Sequence, residues 1–149
     1  MSRPFQTVHH FCIVVADINA AVRFYESIGI GPWHNFPPLT QYTALEVPDR
    51  AAFLDLTYMY AELGELQIQL VQPGAGDSPQ GRFLRRTGGG VFHIGFSVDD
   101  VVRATDCVAE FGLLPWMKGR HPSGAAFAYF DTASAAGVTL EVRQGPTAR

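Results

Sequence analysis

The chain has 149 residues, of which 47% are hydrophobic, so it can bury one sizeable core and disorder is not expected. Its formal net charge of −3 argues against a nucleic-acid partner, which requires clustered Lys and Arg. No run approaches the roughly 18 apolar residues of a membrane span, and residues 1–7 lack the apolar segment of a signal peptide. Cys12 falls on a predicted strand and Cys107 on a predicted helix, so we do not expect a disulfide framework. The expected location is the reducing environment of the cytoplasm.

Residues 8–72 predict a first module with the order β-α-β-β-β. The apolar, β-branched stretch 8–15 is typical of a strand, and Asp17 can cap the helix that follows. The apolar residues of that helix recur at helical spacing, and Gly29 suits its end. An extended segment starting at Pro32, a strand over 53–60 and an alternating strand over 65–71 complete the module.

Residues 73–90 have the composition of a linker, with one helical turn expected near 82–86. A second module over 91–143 repeats the same order. Within it, 118–124 is predicted as an exposed loop and 133–137 as a turn between the last two strands. We therefore expect one domain, 1–149, built from two modules.

The modules are related by a repeat. A shift of 83 positions places His10 on His93, Asp17 on Asp100 and Trp33 on Trp116 without a gap. A repeat of this length indicates a duplicated supersecondary unit with a histidine in the same place of each copy.

Alternation along four strands separates an apolar face, which needs helices to cover it, from a smaller or more polar face. His10, Gln69, His93 and Glu141 lie on the polar faces. Imidazole, amide and carboxylate donors suit Zn, Ni, Co, Fe or Mn better than Mg or Ca. The pattern alone also allows hydrogen-bonded core histidines and solvated Gln and Glu. The remaining histidines fit a metal site less well, since one faces the helices and two fall in predicted loops: His9, His34 and His121.

Five stretches of the sequence resemble the vicinal-oxygen-chelate superfamily, which includes glyoxalase I, methylmalonyl-CoA epimerases, extradiol dioxygenases and bleomycin-resistance proteins. Residues 10–17 resemble the opening strand of that family, and 69–73 its ligand strand ending in Pro. Residues 88–96 are similar to its second histidine strand. Residues 127–132 and 140–142 resemble the closing strands of the epimerase-like branch. The resemblance covers nearly the whole chain.

This resemblance implies an α+β fold in which two paired βαβββ modules form an eight-stranded, cup-like half-barrel with helices on the outer face. It also implies one divalent metal ion held by His10, Gln69, His93 and Glu141. With the glutamate ionised and the other ligands neutral, such a site carries about one positive charge, which favours a developing oxyanion.

The implied activity is that of a metal-dependent lyase, isomerase or epimerase that stabilises an enolate by removing a proton next to a metal-coordinated oxygen. Glu141 is the expected base. Two alternatives stay open: an Fe(II) dioxygenase, although Gln69 fills a position that dioxygenases leave for substrate and oxygen, and a ligand-binding or resistance protein without chemistry.

The chain departs from the methylmalonyl-CoA epimerases at their second carboxylate, whose place falls near Phe53, while Asp49 and Asp55 are neighbours and not matches. The substrate is expected to be a small molecule with an apolar or aromatic portion. Its candidate contacts are aromatic residues of both modules and two residues of the predicted basic loop: Trp33, Tyr42, Tyr58, Tyr60, Trp116, Phe127, Tyr129, Arg120 and His121. For any one aromatic residue, core packing is an equally good explanation. Family members commonly pair, so a homodimer is expected.

Overall fold

The computed structural model describes residues 3–147 and has the predicted α+β fold. Within that range it contains nine strands, five α-helices and a short 3-10 helix at Leu39–Gln41. The strands are β1 (Val8–Val14), β2 (His34–Asn35), β3 (Ala44–Glu46), β4 (Thr57–Leu63), β5 (Leu66–Gln72), β6 (Gly90–Ser97), β7 (Pro115–Arg120), β8 (Ala126–Phe130) and β9 (Thr139–Gln144). The helices are α1 (Ile18–Ser27), α2 (Arg50–Leu54), α3 (Pro79–Thr87), α4 (Val101–Ala109) and α5 (Ala133–Ala136). Across residues 3–147, no helix has the length and apolar character to cross a membrane.

The chain divides into two compact units. The first unit comprises residues 10–39 and 49–92, and the second comprises 3–9, 40–48 and 93–147 of the described chain. Each unit contains one copy of the repeated strand–helix segment. The division falls immediately before a predicted histidine ligand in both β1 and β6.

In the first unit the strands follow the order β2-β4-β5-β1, with β5 antiparallel to β4 and parallel to β1. The Asp17 side chain caps α1 by accepting a hydrogen bond of 3.0 Å from the Ala20 N–H. Ile18 of α1 packs with Ala61 and Leu70 in a buried apolar cluster. The apolar face of the sheet is therefore covered by α1, as the alternation predicts.

In the second unit the order is β6-β9-β8-β7-β3, with a parallel β6–β9 pair and antiparallel neighbours after it. Asp100 caps α4 through the Arg103 N–H at 3.1 Å. Ala104 of α4 packs with Phe130 and Val142 in the core of this unit. Because side chains alternate along a strand, Glu141 is directed to the face opposite Val142.

The duplication extends to a hydrogen bond that joins α1 to β5 in the first unit and α4 to β9 in the second. The Ile18 N–H donates to Gln72 Oε1 at 2.8 Å, and the Val101 N–H donates to Gln144 Oε1 at 2.7 Å. Each glutamine lies three residues after a predicted oxygen ligand, Gln69 or Glu141. The two copies therefore match in their closing strands as well as in their opening ones.

The predicted strand 53–60 is wrong in its first half. Arg50–Leu54 form α2, which Asp49 caps by accepting from the Ala52 N–H at 3.0 Å, and the strand begins only at Thr57. Phe53 is buried on this helix. A short apolar run fits a buried helix as well as a strand, and here the cap selects the helix.

The predicted linker holds a longer helix than the expected turn. Ser78 accepts a hydrogen bond of 2.9 Å from the Gly81 N–H, Pro79 occupies the first turn, and Gly88 ends α3 with a φ of 80°. Cap, proline and terminal glycine together delimit a helix in a segment with little apolar periodicity.

The second module also differs from its prediction at two points. Residues 118–120 belong to strand β7, which pairs with the short strand β3, so the predicted loop 118–124 is wrong at its start. Lys118 forms an exposed ion pair with Glu46 at 3.0 Å across these strands. The predicted turn 133–137 contains the short helix α5.

Candidate metal centre

A buried histidine–carboxylate pair occupies the second unit. His93 is 0% exposed and Glu141 is 5% exposed, and His93 Nε2 lies 2.8 Å from Glu141 Oε2. Burying a carboxylate is costly unless it is paired or bound to a metal. A buried imidazole nitrogen and carboxylate oxygen this close together are therefore a candidate part of a metal site.

Pairing between strands fixes where these two side chains lie. In the parallel β6–β9 pair Gly95 is the partner of Glu141, two residues along from His93. In the antiparallel β8–β9 pair Tyr129 lies directly opposite Glu141. The Tyr129 ring meets the His93 ring edge-on, with centroids 4.8 Å apart. His93, Tyr129 and Glu141 thus form one packed group on the face opposite α4.

The first unit carries the other two predicted ligands. His10 is 2% exposed and Gln69 is 7% exposed. Gln69 Nε2 donates a hydrogen bond of 2.8 Å to Gln67 Oε1. Because its nitrogen is held by Gln67, the Gln69 oxygen is the amide atom available to a metal ion.

The strand register gives both units the same arrangement. Cys12 is the partner of Gln69 in β1–β5, just as Gly95 is the partner of Glu141 in β6–β9. Cys12 and Gly95 are themselves related by the shift of 83. Gln69 and Glu141 therefore occupy equivalent positions, each at the same offset from the histidine of its own unit.

The donor set fits a divalent metal of intermediate softness. His10 in the first unit, and His93 and Glu141 in the second, are each buried, and each offers a donor atom of the kind that such an ion binds. Two imidazoles and one carboxylate are ligands of Zn²⁺ and of Fe(II), and an amide oxygen can complete a fourth position. A divalent ion would offset the negative charge of the buried Glu141 carboxylate.

The pKa of Tyr42 depends on its burial and on the charge of Glu141. Burial raises the pKa of the Tyr42 phenol above its ordinary value of 10.0, the Glu141 carboxylate raises it further, and Arg143 partly offsets this. Both effects disfavour the phenolate. Tyr42 is therefore a neutral hydroxyl near the candidate base throughout the physiological pH range.

The predicted substrate contacts of the second unit form an aromatic row. The centroid of the Phe127 ring lies 5.4 Å from that of Tyr42 and 5.4 Å from that of Tyr129. The centroids of the Trp116 and Tyr129 rings are 6.5 Å apart. Phe127 lies opposite Arg143 and Tyr129 opposite Glu141, so both rings share the face of the candidate base.

The two predicted basic-loop residues have local roles. His121 Nδ1 accepts from the Ser123 N–H at 3.0 Å, and its Nε2 lies 3.2 Å from Gln41 Oε1. Arg120 Nη1 donates to the Gly124 carbonyl at 3.5 Å. Both side chains thus brace the connection between β7 and β8.

In the first unit, Trp33 differs from the two tyrosines. Trp33 is buried in the apolar cluster under α1, and its indole N–H donates to the Ile30 carbonyl at 3.0 Å. Core packing accounts for its position. Tyr60 lies opposite Gln69 in the antiparallel β4–β5 pair, and Tyr58 lies two residues before it on the same face.

His34 lies in β2 and is exposed, with its ring 5.4 Å from the Tyr60 ring, whereas His9 is half-buried in β1.

Sequence reasoning missed Gln67 and Gly119. Gln67 orients the Gln69 side chain through a hydrogen bond. The run of polar residues on one face of β5 is the sequence feature that could have indicated this role. A Cβ atom at Gly119 would lie 2.7 Å from the Phe127 ring, so only glycine leaves room for that ring.

A family model of the Glyoxalase/Bleomycin resistance protein/Dioxygenase superfamily matches residues 9–142. The chain therefore belongs to this superfamily, and the resemblance seen in the sequence is confirmed. No curated protein matches the sequence significantly.

Solved structures share the fold along almost the whole chain. Methylmalonyl-CoA epimerase from Mycobacterium tuberculosis superposes with a TM-score of 0.75 at 19% identity, covering 99% of this chain and 93% of that one. A variant of the Streptomyces coelicolor methylmalonyl-CoA epimerase, in complex with 2-nitronate-propionyl-CoA, gives 0.74 at 22% identity, covering 95% of each chain. A hypothetical protein from Bacillus halodurans gives 0.71 at 22% identity, covering 96% of each.

Proposed function

We propose that the protein is a divalent-metal-dependent enzyme of the lyase or isomerase type, epimerases included, that removes a proton next to a substrate oxygen. The proposed ligands are His10, Gln69, His93 and Glu141. The buried 2.8 Å pair of His93 and Glu141, in a member of this superfamily, is the observation that carries the proposal. Zn, Ni, Co, Fe and Mn all suit this donor set.

Glu141 is the proposed base. When bound, the metal ion supplies Lewis-acid chemistry that draws charge toward a substrate oxygen. The Glu141 carboxylate forms an O–H bond as the neighbouring C–H bond breaks and its electron pair moves into the carbonyl group. An isomerase or epimerase then returns the proton to carbon, whereas in a lyase the electron pair expels a leaving group. His93 orients the carboxylate, and burial keeps competing water away.

The proposed substrate has an apolar or aromatic portion. Phe127 and Tyr129 are the proposed contacts nearest the base, since they share its face of the sheet. The similar solved structures include methylmalonyl-CoA epimerases, so acyl-CoA thioesters belong in a substrate panel. Counting back from Gln69, the place of the second carboxylate of that reaction falls near Phe53, an apolar residue buried in helix α2. We therefore favour a reaction that needs one carboxylate base.

Proton exchange tests the proposal whatever the complete reaction is. Methylmalonyl-CoA, mandelate esters and cyclic ketones, which all carry a C–H bond next to a carbonyl group, are incubated with metal-loaded protein in D₂O, and deuterium incorporation is followed by NMR. Glu141→Gln should slow exchange by about 10²-fold or more. The matched control is Glu46→Gln, which removes an exposed carboxylate of the same unit and should leave exchange unchanged. Equal rates in both variants would contradict the assignment of Glu141.

A second candidate function is an Fe(II) dioxygenase. Two histidines and one carboxylate are the donor set that non-haem Fe(II) oxygenases use. Oxygen uptake with catechols, measured with Fe(II) present and with Zn²⁺ in its place, separates the two functions. Uptake that requires Fe(II) and is lost in His93→Gln would favour the dioxygenase.

We also propose that the chain forms a homodimer. Ile28 and Phe111 are exposed apolar residues at equivalent helix ends of the two units. Burial of these two side chains on association would remove apolar surface from water. Sedimentation velocity gives the oligomeric state directly, and a monomer at micromolar concentration would contradict the proposal.

A further inference from the structure

Two tryptophans related by the repeat differ in the partners of their indole N–H groups. The Trp33 N–H donates to the Ile30 carbonyl at 3.0 Å. The Trp116 N–H is buried and meets no hydrogen-bond acceptor among residues 3–147. A buried donor without a partner is destabilising and rare in folded proteins. The Trp116 N–H is therefore placed to meet an acceptor supplied from outside the chain.

A β-bulge sets the position of Trp116. Pro115 pairs with Phe130 and Met117 pairs with Tyr129, so Trp116 is an extra residue of β7 without a partner in β8. Bulges of this kind redirect a side chain and occur often beside active sites. Here the redirected indole contacts the Tyr129 ring at 6.5 Å with an interplanar angle of 55°.

Tyr129 connects this indole to the candidate base. It lies opposite Glu141 in the β8–β9 pair, and its ring rests edge-on against His93. The Phe127 ring lies beside it at 5.4 Å. Trp116, Tyr129 and Phe127 thus form an aromatic wall next to the His93–Glu141 pair, and the wall carries one unused hydrogen-bond donor.

We propose that Trp116 is a specificity-determining residue, whose indole N–H donates to an acceptor oxygen of a substrate with a flat ring packed against Trp116 and Tyr129. The proposal rests on the proposed function, because the ring is selected beside the base Glu141. It narrows the substrate class to cyclic or aryl compounds that carry a carbonyl or carboxylate oxygen. An aliphatic compound with the same oxygens gains neither the ring contact nor the correct placement of the acceptor.

Stability measurements test whether the N–H has a structural role. Trp33→Phe removes a hydrogen bond and should lower the melting temperature. Trp116→Phe leaves a similar cavity but removes an unsatisfied donor, so its melting temperature should fall less than that of Trp33→Phe. A fall in Trp116→Phe as large as that in Trp33→Phe would show that the N–H is bonded within the fold and would overturn the proposal.

Binding measurements test the specificity. In Trp33→Phe protein the emission comes from Trp116 alone, because the chain has two tryptophans. Benzoylformate, an aryl 2-oxo acid, and 2-oxobutyrate, its aliphatic counterpart, are titrated into metal-loaded and EDTA-treated protein. Benzoylformate should change the Trp116 emission in a saturable way. It should bind at least several-fold more tightly than 2-oxobutyrate. In calorimetry, Trp116→Phe should lower the affinity for benzoylformate roughly three- to tenfold and leave the affinity for 2-oxobutyrate unchanged.

The failures of the two proposals are distinguishable by measuring metal content on the same samples. Protein that retains metal but binds both acids equally, with no effect of Trp116→Phe, would overturn the role of Trp116 alone. Protein that never retains metal but still selects benzoylformate through Trp116 would overturn the metal-dependent function and support the aromatic site.

Discussion

Tyr129 lies directly opposite Glu141 in the β8–β9 pair, and its ring rests against His93. Tyr60 lies opposite Gln69 in the same way in the first unit. Each unit thus places a tyrosine beside a predicted oxygen ligand. A ring in this position fixes neighbouring side chains and keeps water from them, which are two requirements of a metal centre.

Tyr129→Ala should lower the free energy of unfolding by about 3 kcal/mol, because it leaves a cavity in a buried, tightly packed position. The same change should weaken metal binding, since His93 loses the ring that orients it. Tyr129→Phe keeps the ring and should change metal affinity little. Urea unfolding and metal titration of both variants measure the two effects, and equal metal affinity in Tyr129→Ala and wild type would contradict the orienting role.

Tyr42 should titrate above pH 10. Burial raises its pKa and the Glu141 carboxylate raises it further, so the folded protein resists formation of the phenolate. A group whose folded pKa is raised in this way holds its proton more tightly when folded, so its stabilising contribution is lost as pH rises beyond the unfolded pKa of about 10. The difference in ultraviolet absorbance between wild type and Tyr42→Phe gives the titration curve of this residue. Glu141→Gln should lower its midpoint in metal-free protein, and an unchanged midpoint would contradict the proximity of the two groups.

Gln80→Leu should stabilise the protein. Gln80 is fully buried in α3, and both of its amide atoms lack a hydrogen-bond partner among residues 3–147. Replacing an unsatisfied amide with an apolar side chain of similar volume removes a penalty of about 1–3 kcal/mol. Thermal and urea unfolding measure the gain, and a variant less stable than wild type would show that the amide is bonded, for example to buried water.

Gln144→Met should destabilise the second unit by about 1–2 kcal/mol, because the buried Val101 N–H at the start of α4 loses its acceptor. Gln6→Met is a suitable control, since Gln6 is exposed and its side chain donates to the adjacent carbonyl of Phe5. Urea unfolding of both variants makes the comparison. A control as unstable as Gln144→Met would point to a general effect of the glutamine-to-methionine change.

The sequence predicts the features that depend on strong periodicity. Alternation along β6 and β9 predicts that His93 and Glu141 share a face, and the structure brings them to 2.8 Å. Asp17 predicts where α1 begins, and Asp99 or Asp100 predicts where α4 begins, of which the structure selects Asp100. The repeat itself predicts that both units fold alike, which the equivalent bonds of the closing strands show.

Features that depend on tertiary context are not readable from the sequence. Phe53 lies in an apolar run that fits a strand or a helix equally, and the Asp49 cap favours the helix. Pro115 marks an irregularity in β7, but it does not predict the direction in which the bulge turns the Trp116 side chain. The short strand β3 forms because β7 offers it an edge, although its three residues have no strand pattern of their own.

Metal analysis of the purified protein shows whether the proposed ligands hold a divalent ion. Protein stripped with EDTA is dialysed against Zn²⁺, Ni²⁺, Co²⁺ or Mn²⁺, and metal content is measured for wild type, His10→Gln, Gln69→Leu, His93→Gln, Glu141→Gln and the control Glu46→Gln, with circular dichroism to confirm folding. We predict one tightly held ion per chain in wild type and in Glu46→Gln, and affinity lower by at least about tenfold in folded variants of the proposed ligands. Wild-type protein that retains no divalent ion, or folded His93→Gln and Glu141→Gln proteins that retain it as tightly as wild type, would contradict the account.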